Sequence, residues 1–399
     1  MNINYPFISK KRSYKKKSFL VILFGTFEFD GRAQRLVETV KDLGHVIVVD
    51  ISTSQETKQT NENANVCRCQ IYMPKHKNKI SRHLKFWLNI LWIAIRNKPS
   101  VIVAENFYTT MIGLISSKIC NAKLIYDAYE LIIPDPTRKM NKRDRIWYLF
   151  EKWTVQRANL IIAANQERAK LMAEHYCLKK IPIVIQNIPT FNSKHKGFSK
   201  EEVIKKFPLL SRSSHNELFI IYQGNISLSR GIERFVLALD YLGPQFKMIL
   251  VGGGPDLERI RSIGERFERE GRLIILGRVE HKYLLSITTL ADVGIITYPF
   301  KGLNNIYCAS NKLFEYAMAG LPVISTNQPP LKYMIEKYEI GKLINEQDNP
   351  AQIAKLIQEI AEKKNKYEKF LINFLKNHRW EDEAKKIKLA VSSILSIVS

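Results

Sequence analysis

The chain has 399 residues, of which 45% are hydrophobic, 10% aromatic and 25% charged. This composition excludes a disordered or low-complexity chain, and the length favours two domains over a single core. The formal net charge of +24 predicts an anionic partner, either a lipid headgroup layer or nucleic acid.

The positive charge is concentrated in the first half of the chain. A second basic block, 75–98, contains seven Lys or Arg and no Asp or Glu. Two explanations remain open: attraction to an anionic surface, and a general surplus of Lys that solvates the protein. Two clusters in one half favour the first explanation. The first cluster consists of Lys10, Lys11, Arg12, Lys15, Lys16 and Lys17.

Cysteine and hydropathy patterns favour a reducing cytoplasm and no membrane span. The five cysteines are an odd number, and Cys67 and Cys69 are too close in sequence for an ordinary disulfide. The basic stretch before FLVILFG resembles a signal peptide, but the charged TFEFDGRAQR that follows favours a buried first strand. The sequence contains no window of about 18 uncharged apolar residues, so no transmembrane helix is predicted.

Apolar runs alternate with helix-length segments through the first half. The first run is followed by a predicted helix with an apolar face at Ala33, Leu36, Val37, Val40 and Leu43. Continuous apolar strands separated by helices indicate a parallel sheet covered on both faces. The predicted strands are 19–24, 46–51, 101–104, 124–127, 159–164 and 181–186.

Segment 80–98 combines apolar and aromatic residues with basic flanks. Such a helix could lie in a bilayer interface with its cations toward anionic lipid. It is equally consistent with an ordinary crossover helix packed on the first sheet. The sequence leaves both interpretations open.

After a polar stretch at 191–215, predicted to be a linker, the alternation resumes. The pattern predicts two doubly wound Rossmann-like α/β domains, 18–190 and 216–378, that follow a basic extension at 1–17. The last segment, 379–399, predicts a helix that crosses back to the first domain. The strands predicted in the second half are 218–222, 248–251, 273–276, 293–297 and 322–325.

Two glycine-rich turns follow strands in the second half. The first begins at Gly224, carries Asn225, and leads into a helix predicted to start near Arg230. Glycine allows a ligand close to the backbone and helix-start amides attract phosphate, so this turn is a candidate diphosphate site. The second turn, 252–255, is weak evidence alone, because any tight turn favours glycine.

A predicted helix at 311–319 carries the next candidate residues. Ser310 is expected to cap it and to leave the amides near Asn311 and Lys312 available to a phosphate. Glu315, one turn further on, can accept hydrogen bonds from ribose hydroxyls; the alternative is a surface Lys and Glu pair. The expected position of this helix, at the carboxyl end of a strand, favours a ligand site.

Four motifs, in order and spacing, resemble the retaining nucleotide-sugar glycosyltransferases of family 4 (group 1), which have the two-Rossmann-domain GT-B fold. They are GNISLSRGIERF, ILVGGGPDLERI, LADVGIITYPF and SNKLFEYAMAGLPVIS. The resemblance covers nearly the whole chain after residue 18, since RAQRLVETVKDLGHVIVV and LIYDAYELIIPD are similar to the family's first domain. It implies a nucleotide-diphosphate sugar as donor substrate and no resident cofactor.

The resemblance also implies roles for individual residues. Arg230 and Lys312 would stabilise the departing diphosphate, and Glu315, the second carboxylate of the family's Glu-x7-Glu motif, would bind ribose. Asp127 and Glu130 would complete the catalytic set. On the acceptor side it implies Gly31, Arg32 and Tyr129, although loop 26–32 is equally consistent with a plain strand-to-helix turn. The implied donor-binding residues are Gly224, Asn225, Gly253, Arg278, Tyr307, Ser310, Asn311 and Leu313.

The chain departs from the family pattern at two positions. Tyr307 stands where the first carboxylate of the Glu-x7-Glu motif is expected, so the sugar transferred is not inherited from the family. Tyr129 replaces a common histidine, and tyrosine is a poor base near neutral pH. The family mechanism tolerates this, because the departing phosphate helps to deprotonate the acceptor in a same-face attack. No Asp-x-Asp sequence occurs, so a metal-bridged diphosphate is not expected.

The sequence therefore predicts sugar transfer to a cell-envelope glycan or lipid-linked acceptor, at the inner face of the cytoplasmic membrane, without metal or nucleic acid. One alternative is a nucleotide-sugar epimerase on the same fold, which needs no second substrate; a phosphorylase would need a cofactor lysine site that the sequence does not reveal. Another is a non-catalytic basic module for membrane or nucleic acid, although no nucleic-acid motif is recognisable. Nucleotide release that requires an added acceptor would exclude the epimerase. Steeply salt-dependent binding to DNA or RNA would identify a nucleic-acid module.

Overall fold

The computed structural model describes residues 17–53, 60–63, 65–74, 79–136, 139–190 and 197–396, with backbone alone at 60–63 and 79. Contacts divide the chain into two units: Met1–Asn187 with Glu381–Ser399, and Ile188–Trp380. Parts of four predicted features lie outside the described residues. These are the basic cluster before Lys17, positions 75–78 of the second basic block, positions 191–196 of the predicted linker, and positions 397–399 of the predicted C-terminal helix.

The first unit is built on an eight-stranded sheet in the order β3-β4-β2-β1-β5-β6-β7-β8, parallel except for the β3–β4 pair. Its strands are β1 (Lys17–Leu23), β2 (Gly44–Ser52), β3 (Thr60–Asn63), β4 (Val66–Tyr72), β5 (Val101–Glu105), β6 (Lys123–Ala128), β7 (Leu160–Ala163) and β8 (Ile183–Val184). Its helices are α1 (Gly31–Val40), α2 (Lys79–Asn97), α3 (Thr110–Ile119), α4 (Lys142–Val155) and α5 (Gln166–His175).

The second unit contains a six-stranded parallel sheet in the order β11-β10-β9-β12-β13-β14. Its strands are β9 (Leu218–Gln223), β10 (Phe246–Val251), β11 (Leu273–Gly277), β12 (Val293–Ile296), β13 (Val323–Thr326) and β14 (Gly341–Ile344). Its helices are α6 (Lys200–Lys206), α7 (Ile232–Leu237), α8 (Leu257–Ile263), α9 (Glu265–Arg269), α10 (His281–Thr288), α11 (Leu303–Ile306), α12 (Asn311–Met318), α13 (Pro329–Tyr338), α14 (Pro350–Glu362) and α15 (Lys364–Asn377).

The buried parallel strands follow the predicted apolar runs. In β1 the residues from Phe19 to Leu23 are buried, as expected for a strand covered on both faces. The prediction missed β3, β4 and β14. In β4 the apolar run is interrupted by Arg68, which is nevertheless buried because it pairs with Asp50 of β2, Nη2 to Oδ2, at 2.6 Å.

The C-terminal helix α16 (Trp380–Ser396) contacts the first unit, as the sequence predicted. Its Lys388 Nζ lies 2.7 Å from Asp42 Oδ2, and its Glu383 accepts a 2.9 Å hydrogen bond from the Gln186 amide. Ile387 and Val391 of the same helix are fully buried. Apolar burial and these polar contacts together fix α16 on the first unit.

Helix α2 has two different apolar faces. One face is fully buried through Phe86, Ile90 and Ala94, so the helix packs as an ordinary crossover element. The opposite face leaves a stripe of large apolar side chains exposed. In the described part of the chain, no helix is both long and apolar enough to cross a bilayer. The exposed stripe consists of Ile80, Leu84, Leu88, Trp92 and Ile95.

The strand order reverses at one point in each sheet. In the first unit β1 lies between β2 and β5, and in the second unit β9 lies between β10 and β12. In open α/β sheets, ligands bind at such a reversal, outside the carboxyl ends of the strands. These two edges are therefore the expected ligand sites of the two units.

Candidate functional site

Two glycine turns pack against each other at the carboxyl ends of β9 and β10. Gly224 and Gly252 have φ values of +129° and +133°, a region that disfavours other residues. A Cβ on Gly252 would lie only 2.0 Å from the Gly224 carbonyl oxygen. The second glycine cluster thus serves close backbone packing, and it brings the two turns together.

Arg230 lies just before a helix, close to the helix start that the sequence predicts. It ends a 3-10 turn, Leu228–Arg230, and is followed by Gly231 at φ +68°. Helix α7 starts only at Ile232, because the left-handed glycine separates it from the turn. Thr297, just after β12, donates a hydrogen bond to the Arg230 carbonyl oxygen and fixes this turn beside the neighbouring strand end.

Arg230 and Lys312 meet on one aromatic ring. The Arg230 Cζ atom lies 4.7 Å from the centroid of Tyr298, and Lys312 Nζ lies 5.0 Å from it. Lys312 Nζ is also 5.5 Å from the centroid of Tyr222. No salt bridge joins either cation to an acid among the described residues. Cations held over aromatic faces without a carboxylate partner are suited to an incoming anion.

Lys312 carries its charge although its side chain is only 9% exposed. Burial and the nearby Arg230 oppose that charge, but Tyr298, Tyr222 and Glu315 outweigh them and raise the pKa of Lys312 above its ordinary value. The ammonium group is therefore protonated at neutral pH. Its stem passes beside Gly224, where a Cβ would lie 3.1 Å from Lys312 Cε, so a side chain at 224 would press on it.

Helix α12 begins at Asn311, as predicted, but the predicted cap is wrong. Ser310 occupies the N-cap position without any side-chain capping hydrogen bond, and its buried Oγ has no partner. Amides of a first helical turn have no partner within the helix, so this end remains able to bind an anion. Leu313 is buried in the hydrophobic core, so its side chain is directed away from any donor and only its amide remains a candidate.

Glu315 is half-buried and is held by a residue that the sequence did not reveal. Gln223, at the end of β9, donates from Nε2 to the Glu315 carboxylate. Gln223 is itself held by Thr288, whose hydroxyl donates to Gln223 Oε1 at 2.9 Å. Gln223 and Tyr298 were both missed because each is a lone polar or aromatic residue, Gln223 at the end of β9 and Tyr298 just after β12, with no local motif.

The remaining candidates on the second unit surround these groups or a neighbouring turn. Asn225 is exposed next to Gly224, and its carbonyl oxygen accepts a 2.7 Å hydrogen bond from the Tyr222 hydroxyl. Arg278 follows β11, and its Nε lies 2.9 Å from where a Cβ on Gly253 would stand. Tyr307 is half-buried at the end of α11. The structure thus joins Gly224, Arg230, Lys312 and Glu315 most closely.

On the first unit, Arg32 and Asp127 bind each other. Arg32 Nε and Nη2 donate to the two Asp127 oxygens, each at 2.7 Å, and Nη1 donates to the Ile185 carbonyl oxygen at 3.0 Å. Both side chains are buried, so Arg32 does not reach from loop 26–32 into solvent as expected for acceptor contact. Burial opposes the arginine charge, but Asp127 outweighs it and raises the pKa of Arg32. This geometry gives the pair a positioning role.

Tyr129 lies beside this ion pair, its ring centroid 5.8 Å from Arg32 Cζ. Its hydroxyl donates to Asp30 Oδ2 at 3.4 Å, and burial together with Glu105 and Asp30 raises the pKa of Tyr129. Tyr129 is consequently even less ionised at neutral pH than an ordinary tyrosine, so hardly any phenolate is present to act as a base. Glu105, which the sequence analysis missed, is fully buried at the end of β5, and burial followed by Asp127 raises its pKa well above the usual range.

Glu130 and Gly31 are the exposed members of the first-unit set. Glu130 accepts a 2.9 Å hydrogen bond from Asn106 Nδ2, which follows β5. Gly31 is the first residue of α1, and Asp30 caps that helix by accepting from the Arg32 and Ala33 amides. Of the predicted first-unit residues, Glu130 is therefore the acid whose carboxylate is available to a ligand.

Residues 206–377, most of the second unit, match the family model for glycosyl transferases group 1. No curated protein sequence matches the chain. The solved structures similar to it include sucrose-phosphate synthase from Thermosynechococcus elongatus, at 18% identity and a TM-score of 0.73, covering 96% of this chain and 100% of the other. HepE from Anabaena with UDP-glucose matches at 16% identity and a TM-score of 0.67, covering 94% and 99%.

WaaG, a glycosyltransferase involved in lipopolysaccharide biosynthesis, matches at 16% identity and a TM-score of 0.66, covering 92% of this chain and 98% of the other. At such identities the structural likeness shows the fold, which is the predicted GT-B arrangement of two Rossmann-like sheets. The match of residues 206–377 and the shared fold make the group 1 glycosyltransferases the family that this chain resembles.

Proposed function

We propose that this chain is a retaining glycosyltransferase that moves a sugar from a nucleotide-diphosphate donor to a cell-envelope glycan or a lipid-linked acceptor, without metal. The observation that carries the proposal is the meeting of Arg230 and Lys312 on Tyr298, next to the start of α12. The HepE structures contain UDP and UDP-glucose, which supports uridine diphosphate sugars as the first donors to test. The role of WaaG in lipopolysaccharide biosynthesis supports an envelope acceptor.

The two cations would bind the donor diphosphate and stabilise the negative charge that develops on it as the sugar leaves. Charges already in position at a half-buried site stabilise a leaving group without reorganising during the reaction. The first-turn amides of α12, at Asn311, Lys312 and Leu313, would add hydrogen bonds, together with the unpartnered hydroxyl of Ser310. Gly224 and Asn225 would line the loop beneath the diphosphate.

Glu315 would accept hydrogen bonds from the ribose hydroxyls. Its carboxylate is held at one oxygen by Gln223, which leaves acceptor capacity on the other. Arg278, Gly253 and Tyr307 would contact the outer parts of the donor. In this arrangement phosphate binding and ribose binding depend on different side chains, so the two are separable by mutation.

On the acceptor side, Glu130 would contact the acceptor, while Arg32 and Asp127 would position the end of β6 that carries Tyr129. Because its pKa is raised, Tyr129 stays protonated at neutral pH, which is compatible with a mechanism in which the departing phosphate, not the protein, removes the acceptor proton. Gly31 would allow an acceptor near the start of α1.

The transfer reaction is tested by UDP release from a panel of UDP-sugars, with and without a membrane extract of the source cells. We expect acceptor-dependent release, a product that keeps the donor's anomeric configuration in NMR spectra, and no loss of activity in EDTA. Arg230→Ala should reduce turnover by about two orders of magnitude, which corresponds to about 2.7 kcal/mol. Arg259→Ala, at a side chain that is 73% exposed, is the matched control. Release without any acceptor requirement, or equal loss in both variants, would contradict the proposal.

A peripheral position on an anionic cytoplasmic membrane face is part of the proposal. The exposed stripe of α2 continues on α4 through Ile146, Leu149 and Trp153. Basic residues flank these apolar side chains on both helices, among them Lys85, Arg96 and Arg145. An apolar stripe with cationic flanks fits a bilayer interface.

A further inference from the structure

A cavity of about 640 Å³ opens in the first unit between α2 and α4. Phe24, just after β1, and Tyr108, just after β5, form its inner end. Since β1 and β5 are neighbours at the reversal of strand order, the cavity lies at the edge where open α/β sheets place ligands. Its volume is in the range of ordinary small-molecule sites.

Aromatic side chains form the inner wall. His83 stacks on Phe24 with ring centroids 4.2 Å apart and lies 4.9 Å from the ring of Trp147. Tyr108 packs edge-on against Trp147 at 5.2 Å. Because these rings support one another, the wall is rigid and apolar without filling the space in front of it.

The mouth of the cavity is apolar as well. Ile80 and Leu84 of α2 and Ile146 of α4 line it, and their side chains are 76%, 58% and 50% exposed. These residues also belong to the exposed stripe described above. An apolar ligand that entered the cavity could therefore pass directly from a lipid layer without crossing water.

The polar groups of the cavity are cations and donors. Arg82 and Arg143 line it, no Asp or Glu does, and no salt bridge joins either arginine to an acid within the described residues. The buried Arg82 Nε, Trp87 Nε1 and Trp147 Nε1 groups have no hydrogen-bond partner. Burial, then Arg82 and Arg143, lower the pKa of His83. An anion with several acceptor oxygens would complement this environment.

We propose that this cavity binds the apolar chain of a phosphate-bearing lipid, with Arg82 and Arg143 on the phosphate. A cavity with only apolar walls would bind a neutral lipid, and a site with only the two arginines would bind free phosphate. Because this cavity has both features, we expect its ligand to carry both an apolar chain and a phosphate. This inference rests on the proposed function in that the lipid is taken to be the carrier of the sugar acceptor. It assigns the lipid part of the acceptor to α2 and α4.

The test is a tryptophan-fluorescence titration of the full chain with dodecyl phosphate and decyl phosphate, both below their micelle concentrations. Trp87 and Trp147 report directly, because both line the cavity. We expect saturable binding, tighter for dodecyl phosphate by up to about fifteenfold, since each fully buried methylene contributes about fourfold. Inorganic phosphate and dodecyl maltoside, each bearing one half of the ligand, should bind at least tenfold more weakly than dodecyl phosphate.

Two matched pairs of variants locate the site. Arg143→Gln should weaken the binding of dodecyl phosphate about tenfold. Arg145→Gln should leave this binding unchanged, because Arg145 is an exposed arginine of the same helix outside the cavity. Leu84→Glu should weaken the binding of dodecyl phosphate to a similar extent. Leu88→Glu should leave it unchanged, because Leu88 is about equally exposed on α2 but does not line the cavity.

Equal losses within either pair, or equal affinity for dodecyl phosphate and dodecyl maltoside, would overturn the proposal and indicate unspecific adsorption to the apolar face. Inorganic phosphate that binds as tightly as dodecyl phosphate would overturn it in favour of a plain phosphate site. The shift of melting temperature with UDP-sugars is recorded on the same samples. If the wild type does not bind dodecyl phosphate but is still stabilised by a UDP-sugar, this inference is rejected and the proposed transfer reaction is not.

Discussion

The carboxylate of Glu315 depends on Gln223, which links it to Thr288 and to the end of β9. If Glu315 binds ribose, removing Gln223 should disturb nucleotide binding without touching the cations. The residue thus provides a way to separate ribose recognition from phosphate recognition.

We expect Gln223→Leu to weaken UDP binding about tenfold and to leave pyrophosphate binding unchanged, because only UDP carries a ribose. A lost hydrogen bond at a charged group corresponds to about 1.5–3 kcal/mol, which agrees with this size. Calorimetric titration of both ligands gives the measurement, and Gln358→Leu, on α14, serves as the control. Equal weakening of both ligands would mean that Gln223 supports the whole site rather than Glu315.

Glu151 of α4 is a buried acid outside the site, and it accepts hydrogen bonds from the hydroxyls of Tyr126 and Tyr176. Burial raises its pKa from 4.5 to about 7, although both tyrosines act in the opposite direction. Since the folded-state pKa exceeds the unfolded one, the folded protein holds this proton more tightly. The resulting stabilisation is fully present below about pH 4.5 and is lost as the pH rises through 7.

Glu151→Gln should remove this pH dependence. Relative to wild type, the variant's free energy of unfolding should rise by up to about 3 kcal/mol between pH 4.5 and pH 8, since one pKa unit corresponds to about 1.4 kcal/mol. Urea unfolding at several pH values gives the comparison, with the exposed Glu174→Gln as control. Parallel pH profiles for wild type and Glu151→Gln would show that the acid is already ionised at low pH.

At the scale of elements, the Arg32–Asp127 ion pair connects α1 to β6. Both partners are buried, and a buried charge without its partner is costly. We expect Arg32→Met to destabilise the protein by about 3–5 kcal/mol, whereas Arg157→Met, at an exposed arginine of the same unit, should have little effect. Thermal unfolding measures the difference. An unchanged melting temperature combined with lost acceptor binding would instead make Arg32 an acceptor ligand.

The elements that the sequence predicts well are those with continuous apolar runs, such as β1, β5 and β9. Strand β4 was missed because Arg68 interrupts its pattern, and its burial depends on Asp50, 18 residues away. Helix α12 could be predicted because its signals are local. The 3-10 turn at Leu228–Arg230 could not, because it ends at Gly231, whose left-handed conformation the sequence does not specify.

The candidate site shows the same difference between residues in local sequence motifs and residues whose contacts come from distant parts of the chain. Gly224, Lys312 and Glu315 could be proposed as site residues from the sequence because they belong to local turn and helix-start motifs. Tyr298 was missed because its role appears only when Arg230 and Lys312 come to its ring from separate segments. The Arg32–Asp127 pair was placed in the site from a resemblance, whereas its hydrogen bonds span 95 residues.

For the whole molecule, the net charge of +24 and the exposed stripe on α2 together predict attachment to anionic membranes. We expect sedimentation with vesicles that contain phosphatidylglycerol, release as salt rises from about 0.05 to 0.5 M, and little binding to neutral vesicles. Leu88→Glu should weaken the attachment, whereas Leu209→Glu, an equally exposed leucine of the second unit, should not. Salt-insensitive binding to neutral vesicles would contradict the electrostatic part of this prediction.

The central claim for the whole molecule is that Arg230 and Lys312 form the diphosphate site of a glycosyltransferase. Its most direct test is the melting temperature of wild type, Arg230→Ala and Lys312→Met across a UDP titration. We predict stabilisation of wild type by mass action, about 2.7 kcal/mol at a hundredfold excess over Kd, and loss of most of it in both variants. The same UDP-induced shift in all three proteins would contradict the account.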